Sequence, residues 1–233
     1  ISDFFGREIG EIYSDKIFGI PILYFSPTPR YNYIWKLTIK RLLDIAISFT
    51  LLVILSPLLL ILSLSIFFSS GLPILYQWNV IGYNKKPIKS WKFRTMVNNA
   101  DELKQKLMDR NEMDGPVFKM ANDPRITRIG KFLRKYSLDE LPQLWSVLKG
   151  DLSLVGPRPP LNSELIKFKD WQRRKLSVKP GLTCLWQVRG RNKIINFDDW
   201  VKMDFEYIDN WSLWLDFKIL IKTFLIVIKG TGL

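Results

Sequence analysis

The sequence predicts a mostly helical α/β fold organised around a bilayer surface: a re-entrant membrane helix hairpin, a compact cytoplasmic domain and interfacial amphipathic helices. Three observations carry this. Residues 45–68 run for 24 positions without a charge, enough to reach across a bilayer core, which needs about 20 residues. The chain is strongly basic, with 35 Lys and Arg against 22 Asp and Glu in 233 residues, yet 47% of it is hydrophobic. Charge and apolar surface must therefore be segregated. Residues 213–228 are apolar and aromatic, and Lys218, Lys222 and Lys229 recur at spacings of four and seven, which places them on one helical face.

Taken in order, residues 1–30 read as the tail of an upstream domain followed by a linker. The first 26 mix polar and apolar positions, end on a strand-like Gly-Ile-Pro-Ile-Leu-Tyr-Phe and lead into Ser26-Pro27-Thr28-Pro29. The chain opens on Ile1 and its first residues have no signal-peptide pattern, so it reads as the C-terminal part of a longer protein. Residues 31–75 form the membrane segment. Ser56-Pro57 sits in its middle, where proline removes a backbone hydrogen bond and bends a helix. Both flanks are basic, with Lys36, Lys40 and Arg41 before and Lys85, Lys86 and Lys89 after. Basic flanks stay in the cytoplasm, so both are satisfied when the segment enters and leaves by one face. A Pro-kinked spanning helix is the alternative. Asp44 stands at the edge of this segment, with Lys40 and Arg41 one turn earlier. A helix-end ion pair or a catalytic role suits it.

Residues 76–233 make up the cytoplasmic and interfacial domain. Between positions 82 and 135 there are 14 Lys and Arg against 6 Asp and Glu, with a strand-like run at 88–95 and a helical stretch at 99–110. For residues 213–228, with Trp211 and Trp214 at the start, a basic face opposite a bulky apolar one predicts a helix lying in the membrane interface. A soluble core helix is the alternative.

Composition also excludes. There is no histidine, and Cys184 is the single cysteine. A His general base, a Cys/His zinc site and an internal disulfide are ruled out. Any metal must be a hard ion held by oxygen, such as Mg²⁺. A net charge of +13 calls for a polyanionic partner: nucleic acid, anionic lipid or a phosphorylated substrate.

The densest patch of chemistry spans residues 130–160, GKFLRKYSLDELPQLWSVLKGDLSLVGPRPP. Ser137-Leu138-Asp139-Glu140 has the form of a capping box, which predicts Asp139 and Glu140 at a helix N-terminus. The helix dipole would hold their ionised forms there and favour a bound phosphate. Acidic residues at helix starts are also ordinary caps. The cationic company distinguishes this pair: Arg134 just before, Arg158 in Val-Gly-Pro-Arg-Pro just after, and Lys92 and Arg94 in Trp-Lys-Phe-Arg-Thr-Met. Arginine forks suit phosphate oxygens.

WKFRTM, NDPRITRIGKFLRKYSLDELPQLWSVLKGDLSLVGPRP and KPGLTCLWQVRGR together resemble the bacterial sugar transferase family, the monotopic polyprenol-phosphate phosphoglycosyl transferases. KRLLD and the Ser56-Pro57 break resemble it too, and the likeness runs from about Lys40 to the C-terminus. It implies a catalytic domain that transfers a sugar 1-phosphate from a UDP-sugar to undecaprenyl phosphate and releases UMP. Asp139 would be the nucleophile, forming a phosphosugar-aspartyl intermediate, and Glu140 the ligand of an assisting Mg²⁺. Arg134 and Arg158, with Lys92 and Arg94, are assigned to phosphate. Gln187 and Arg191, in the Gly-containing stretch 179–191, suit nucleotide or sugar contacts or a structural role. The resemblance places the protein at the bacterial inner membrane with its catalytic domain on the cytoplasmic face. There it would begin exopolysaccharide, capsule or O-antigen (lipopolysaccharide) assembly, with glucose the favoured sugar and galactose next. A homodimer is compatible. Two other classes compete: a non-catalytic scaffold of glycan assembly, and a membrane-tethered nucleic-acid binder. The latter has no need of paired carboxylates among its cations, so no nucleic-acid partner is expected.

Overall fold

The structure, a computed structural model, describes residues 12–17, 20–25, 30–190 and 194–230. It is mostly helical, with three two-stranded sheets among the described residues. The chain divides into two units between Leu43 and Asp44. The division falls inside the first long helix rather than at the anticipated linker, residues 26–29 of which lie outside the described residues. In the first unit, β1 (Ile12–Ile17) and β2 (Ile20–Phe25) form an antiparallel hairpin with Ile12 opposite Phe25, two strands where the sequence suggested one. Helix α1 (Arg30–Ile54) begins in this unit and ends in the second.

The second unit opens on the break. Helix α2 (Ser56–Ser70) leaves α1 at a bend of 60°. Pro57 has no N–H to give the carbonyl of Val53, four residues back. The Ser56 hydroxyl takes that acceptor instead, at 2.8 Å, while Leu55 N–H bonds Leu51 O and Leu59 N–H bonds Leu55 O on either side. Ser-Pro thus bends the helix and keeps the freed carbonyl partnered in an apolar stretch. Among the described residues no single helix is long and apolar enough to cross a membrane; the bent pair reaches that length and composition together. Ile54, Leu60, Ile61, Leu64 and Phe68 are exposed.

Asp44 is neither an interface charge nor part of the acidic pair. It is buried, and its Oδ1 accepts the Leu154 N–H at 3.0 Å. That bond anchors the middle of α1 to β5 (Ser153–Val155).

Strands β3 (Leu75–Ile81) and β4 (Pro87–Phe93) form an antiparallel hairpin in which Trp78 faces Ser90 and Tyr76 faces Lys92. Alternation buries Trp78, Val80, Ile88 and Ser90 on one face, while Phe93, at the end of β4, is buried on the other. Helix α3 (Ala100–Lys106) and a 3₁₀ turn, Met108–Arg110, fill the anticipated helical stretch. Helix α4 (Arg128–Lys135) is capped by Thr127, whose hydroxyl accepts the Gly130 N–H at 3.0 Å. Its Leu133, fully buried, packs with Leu62 and Ile66 of α2 and Phe93 of β4. Each such side chain contributes about 1.5–3 kcal/mol. Gly130 is required here, since a Cβ would lie 2.1 Å from the Thr95 carbonyl.

Helix α5 (Leu144–Lys149) leads into β5, which pairs in parallel with β6 (Gly181–Thr183). This brings the Val-Gly-Pro-Arg and Lys-Pro-Gly motifs together so closely that a Cβ on Gly181 would sit 2.0 Å from the Gly156 nitrogen. Short helices α6 (Asn162–Leu165) and α7 (Leu185–Arg189) precede α8 (Phe197–Asp209) and α9 (Leu213–Lys229). On α9, Asp216 and Ile219 are buried. The carboxylate of Asp216 accepts the Tyr207 hydroxyl at 2.7 Å and the Trp211 indole N–H at 3.1 Å. Trp214, Phe217, Ile221, Phe224, Leu225 and Ile228 are exposed along one side. At 100° per residue, Lys218, Lys222 and Lys229 border that apolar face rather than oppose it. The side opposite is the one that docks on the domain.

Candidate active site

Asp139 and Glu140 lie on a 3₁₀ turn, Leu138–Gln143, packed against β4. The anticipated capping box does not form. Ser137 takes a left-handed conformation (φ 53°) rather than the extended one an N-cap needs and makes no side-chain cap, and the Glu140 carboxylate pairs with Lys92 (Nζ–Oε1 2.7 Å). A left-handed serine costs on the order of 1 kcal/mol. It reverses the chain between α4 and the turn, which returns Asp139 to the neighbourhood of Arg134.

Asp139 is buried, with 9% of its surface exposed. Burial raises its pKa above the ordinary carboxylate value, and the Glu140 charge raises it further; Lys92 and Arg134 offset this in part. The helix-start argument, which called for a readily ionised Asp139, is therefore corrected. A short 3₁₀ turn supplies little dipole, and desolvation outweighs it.

Arg134 is largely withdrawn from solvent. Burial lowers its pKa, while Asp139 and Asp123 oppose the shift; the guanidinium stays charged, as arginine does. Its Nε donates to Thr95 Oγ1 at 2.9 Å. Behind it, Asp123 and Arg125 form a buried two-pronged pair, Nε–Oδ1 2.8 Å and Nη2–Oδ2 2.6 Å. Burial pulls the Asp123 carboxyl upward, but the hydrogen bonds and charge of Arg125 hold it below its usual value. Asp-Pro-Arg in a turn was the sequence signal for this pair, overlooked because it sits 14 residues before the acidic motif.

Lys92 Nζ lies 4.0 Å from the centre of the Trp78 ring, and the Arg158 guanidinium is 5.7 Å from the same ring. Trp78 thus gathers two of the cations expected to serve phosphate. Alternation in the β3–β4 hairpin puts it on the same face as Lys92, a signal that could have flagged it. Replacing Trp78 with Phe is expected to retain most turnover. Leu, which fills space without a π face, is expected to lower it about three- to tenfold, since such a contact is worth about 0.5–1 kcal/mol or more. Equal steady-state rates for the two variants would refute the platform role.

The remaining candidates are placed elsewhere. Arg94 is buried with its fork turned on the end of α2: Nη2 donates to the carbonyls of Ser70 (2.6 Å) and Gly71 (2.7 Å), Nη1 to that of Leu72 (2.8 Å). The structure thus removes Arg94 from the phosphate-facing set, because carbonyls that close a helix occupy its donors. Arg94→Ala is expected to destabilise the fold by about 2 kcal/mol through orphaned carbonyls, read by thermal unfolding; a loss of turnover at unchanged stability would contradict this. Gln187 Oε1 accepts the Cys184 N–H at 3.0 Å and caps α7, the structural alternative for that residue. Arg191 lies outside the described residues. Cavities of about 370 and 540 Å³ border α8, the first lined by Asp114, Lys169 and Phe197, the second by Ile195 and Met203. Neither is lined by the acidic pair.

Two adjacent carboxylates on one turn thus stand beside a lysine from β4 and an arginine from α4. The family model described as bacterial sugar transferase matches residues 35–230. The chain belongs to the bacterial sugar transferase family. It is 50% identical over 162 residues to a galactosyl transferase, CpsE, of Streptococcus agalactiae, covering 70% of this chain and 36% of that protein. It is 44% identical to the undecaprenyl-phosphate galactose phosphotransferase of Salmonella typhimurium, covering 83% and 41%. It is 35% identical to the UDP-glucose:undecaprenyl-phosphate glucose-1-phosphate transferase of Escherichia coli, covering 99% and 48%. The chain thus spans less than half the length of these relatives. The family match begins at Trp35 and takes in the Ser56-Pro57 bend, the acidic turn and α9.

Described residues offer no group of three or more carboxylate, His or Cys side chains for a metal. Two neighbouring carboxylates nevertheless suit Mg²⁺, which commonly takes one or two from the protein and the rest from substrate phosphates and water. The donors present fit that ion.

Proposed function

We propose that this chain transfers a sugar 1-phosphate from a UDP-sugar to undecaprenyl phosphate. The observation that carries the reading is the Asp139–Glu140 pair, its Asp139 buried and its Glu140 partly exposed, flanked by Lys92 and Arg134, in a bacterial sugar transferase. An Asp139 oxygen attacks the sugar-bearing phosphorus; the bond from that phosphorus to the bridging oxygen breaks, and UMP leaves with the electron pair. A phosphate oxygen of the lipid then attacks the same phosphorus and expels the Asp139 carboxylate. A carboxylate is a competent nucleophile toward phosphorus. Lys92 and Arg134 balance charge gathering on the transferred group. Glu140 would hold Mg²⁺, which when bound neutralises phosphate charge. Lys92 must then share Glu140 or turn to phosphate.

The α1–α2 bend, taken as re-entrant, and the exposed apolar side of α9 support a place on the cytoplasmic face of the bacterial inner membrane. There a long lipid can offer its phosphate without leaving the bilayer. The relatives' names support a galactose or glucose donor; the family resemblance extends the reading to the first membrane step of exopolysaccharide, capsule or O-antigen synthesis. The test is UMP release across a panel of UDP-sugars with undecaprenyl phosphate and Mg²⁺. Release with UDP-galactose or UDP-glucose, dependent on the lipid for product, is expected; no release from any UDP-sugar would overturn the reading.

A further inference from the structure

Helix α4 carries a face that the transfer reaction does not use. Arg128, Lys131, Phe132 and Lys135 recur at i, i+3, i+4 and i+7 and are all exposed. The opposite side holds Gly130 and Leu133, both buried, together with Arg134. Phe132 leaves 49% of its surface to solvent and lies 5.1 Å from the Tyr136 ring. None of the three cations is in an ion pair among the described residues. A solvated charged face has no need of an exposed phenyl ring beside it, and at 100° per residue Phe132 borders the three cations.

The neighbours say what covers it. Leu133 joins α4 to α2, whose outer side is apolar and exposed. At the other end, a Cβ on Gly230, the cap of α9, would meet Tyr136 and the Lys135 stem at 2.7 and 3.1 Å. Helix α4 therefore stands between the two elements with the barest apolar surfaces in this unit. Three cations beside an exposed aromatic, between two exposed apolar elements, match anionic headgroups over an acyl boundary.

We propose that the outer face of α4 docks on anionic phospholipid headgroups, with Phe132 at the acyl boundary and Arg128, Lys131 and Lys135 among the phosphates. The inner face of the same helix fixes Arg134 to Thr95, so lipid docking and the orientation of a substrate-binding arginine share one rigid element. This rests on the membrane placement proposed above and adds an element and a lipid class to it.

Cys184 is buried, and burial raises its thiol pKa, so it reacts slowly. A polarity-sensitive thiol probe can thus be placed alone at Phe132→Cys, or at Phe224→Cys on α9, in the full chain. The labelled protein is incorporated into nanodiscs of phosphatidylcholine alone, or of phosphatidylcholine with phosphatidylglycerol, and quenched by spin-labelled acyl chains. Quenching at position 132 that rises with phosphatidylglycerol is expected. Lys131→Gln with Lys135→Gln should reduce that rise by about fivefold or more, the weight of one basic residue near such a surface. A probe at 132 that is unquenched, or equally quenched in both lipids, while position 224 is quenched, overturns the α4 proposal and leaves the membrane placement standing. Absence of quenching at both positions overturns both. A response that appears only when undecaprenyl phosphate is added to phosphatidylcholine assigns the face to the acceptor and also overturns it.

Discussion

Asp139→Asn is expected to abolish UMP release, by a factor of about 10⁴ or more, while raising the midpoint of thermal unfolding. The first effect follows from removing the nucleophile: an amide cannot form the phosphosugar intermediate, and loss of a central member of a catalytic set costs about 10⁴–10⁶ in rate. The second follows from burial. A carboxylate at 9% exposure beside Glu140 carries a desolvation and repulsion cost that Lys92 and Arg134 offset only in part; the neutral, isosteric amide does not carry it. The sign of the pH dependence is fixed by the same shift. A pKa raised on folding means that the folded state holds its proton more tightly. The stability tied to the protonated form is complete below the unfolded value, about 3.9, and is lost as pH rises through the folded value. The gap in midpoint between Asn variant and parent, measured without metal, should therefore be widest at neutral pH and close as pH falls through that window. UMP release surviving in the variant would remove Asp139 from the nucleophile's role. A variant less stable than its parent at neutral pH would remove the buried-charge account.

Such a trade of stability for chemistry was legible in the sequence only in outline. The Ser56-Pro57 bend could be read directly, because proline's missing N–H acts locally and the serine that compensates is its neighbour. The helical stretch at 99–110 and the last helix could be read because their periodicity is unbroken. Asp139 and Glu140 could be picked out by their cationic company, but not their electrostatics. Local pattern suggested a capping box, and a partner 48 residues away, Lys92, took Glu140 instead. Arg94 shows the same limit in reverse. Two residues from Lys92 in the same motif, it points past the end of β4 and closes α2, and strand alternation cannot say which cations share a site once the strand ends. Trp78 and Asp123 went unnoticed because each acts on a site residue distant in sequence, Lys92 and Arg134, through a ring face or a second ion pair. Such contacts have no spacing signature.

A second structural vulnerability lies away from the site. Lys175 and Asp204 form an ion pair at 2.6 Å with side chains 6% and 1% exposed, and both charges act on the buried Cys184 thiol. Burial raises the pKa of Asp204, with Lys175 and then Arg158 opposing it. The pair is thus held against a desolvation cost that its mutual attraction only repays while both partners are present. Lys175→Met alone is expected to destabilise the protein by about 3–5 kcal/mol, because it strands a carboxylate that has almost no access to water. Adding Asp204→Leu should recover most of that loss and can exceed the parent, since two apolar side chains carry no charge to desolvate. Denaturant titration of the parent, the single variant and the double variant decides it. A double variant as unstable as the single one would show that the pair contributes packing or backbone geometry rather than compensated charge. Arg158 adds a second readout. Its charge acts on Asp204 while its guanidinium lies over Trp78, so a stranded Asp204 should draw Arg158 from the ring and lower turnover more than the loss of folded protein accounts for. The double variant, with no carboxylate to attract it, should restore the rate per folded molecule along with the stability.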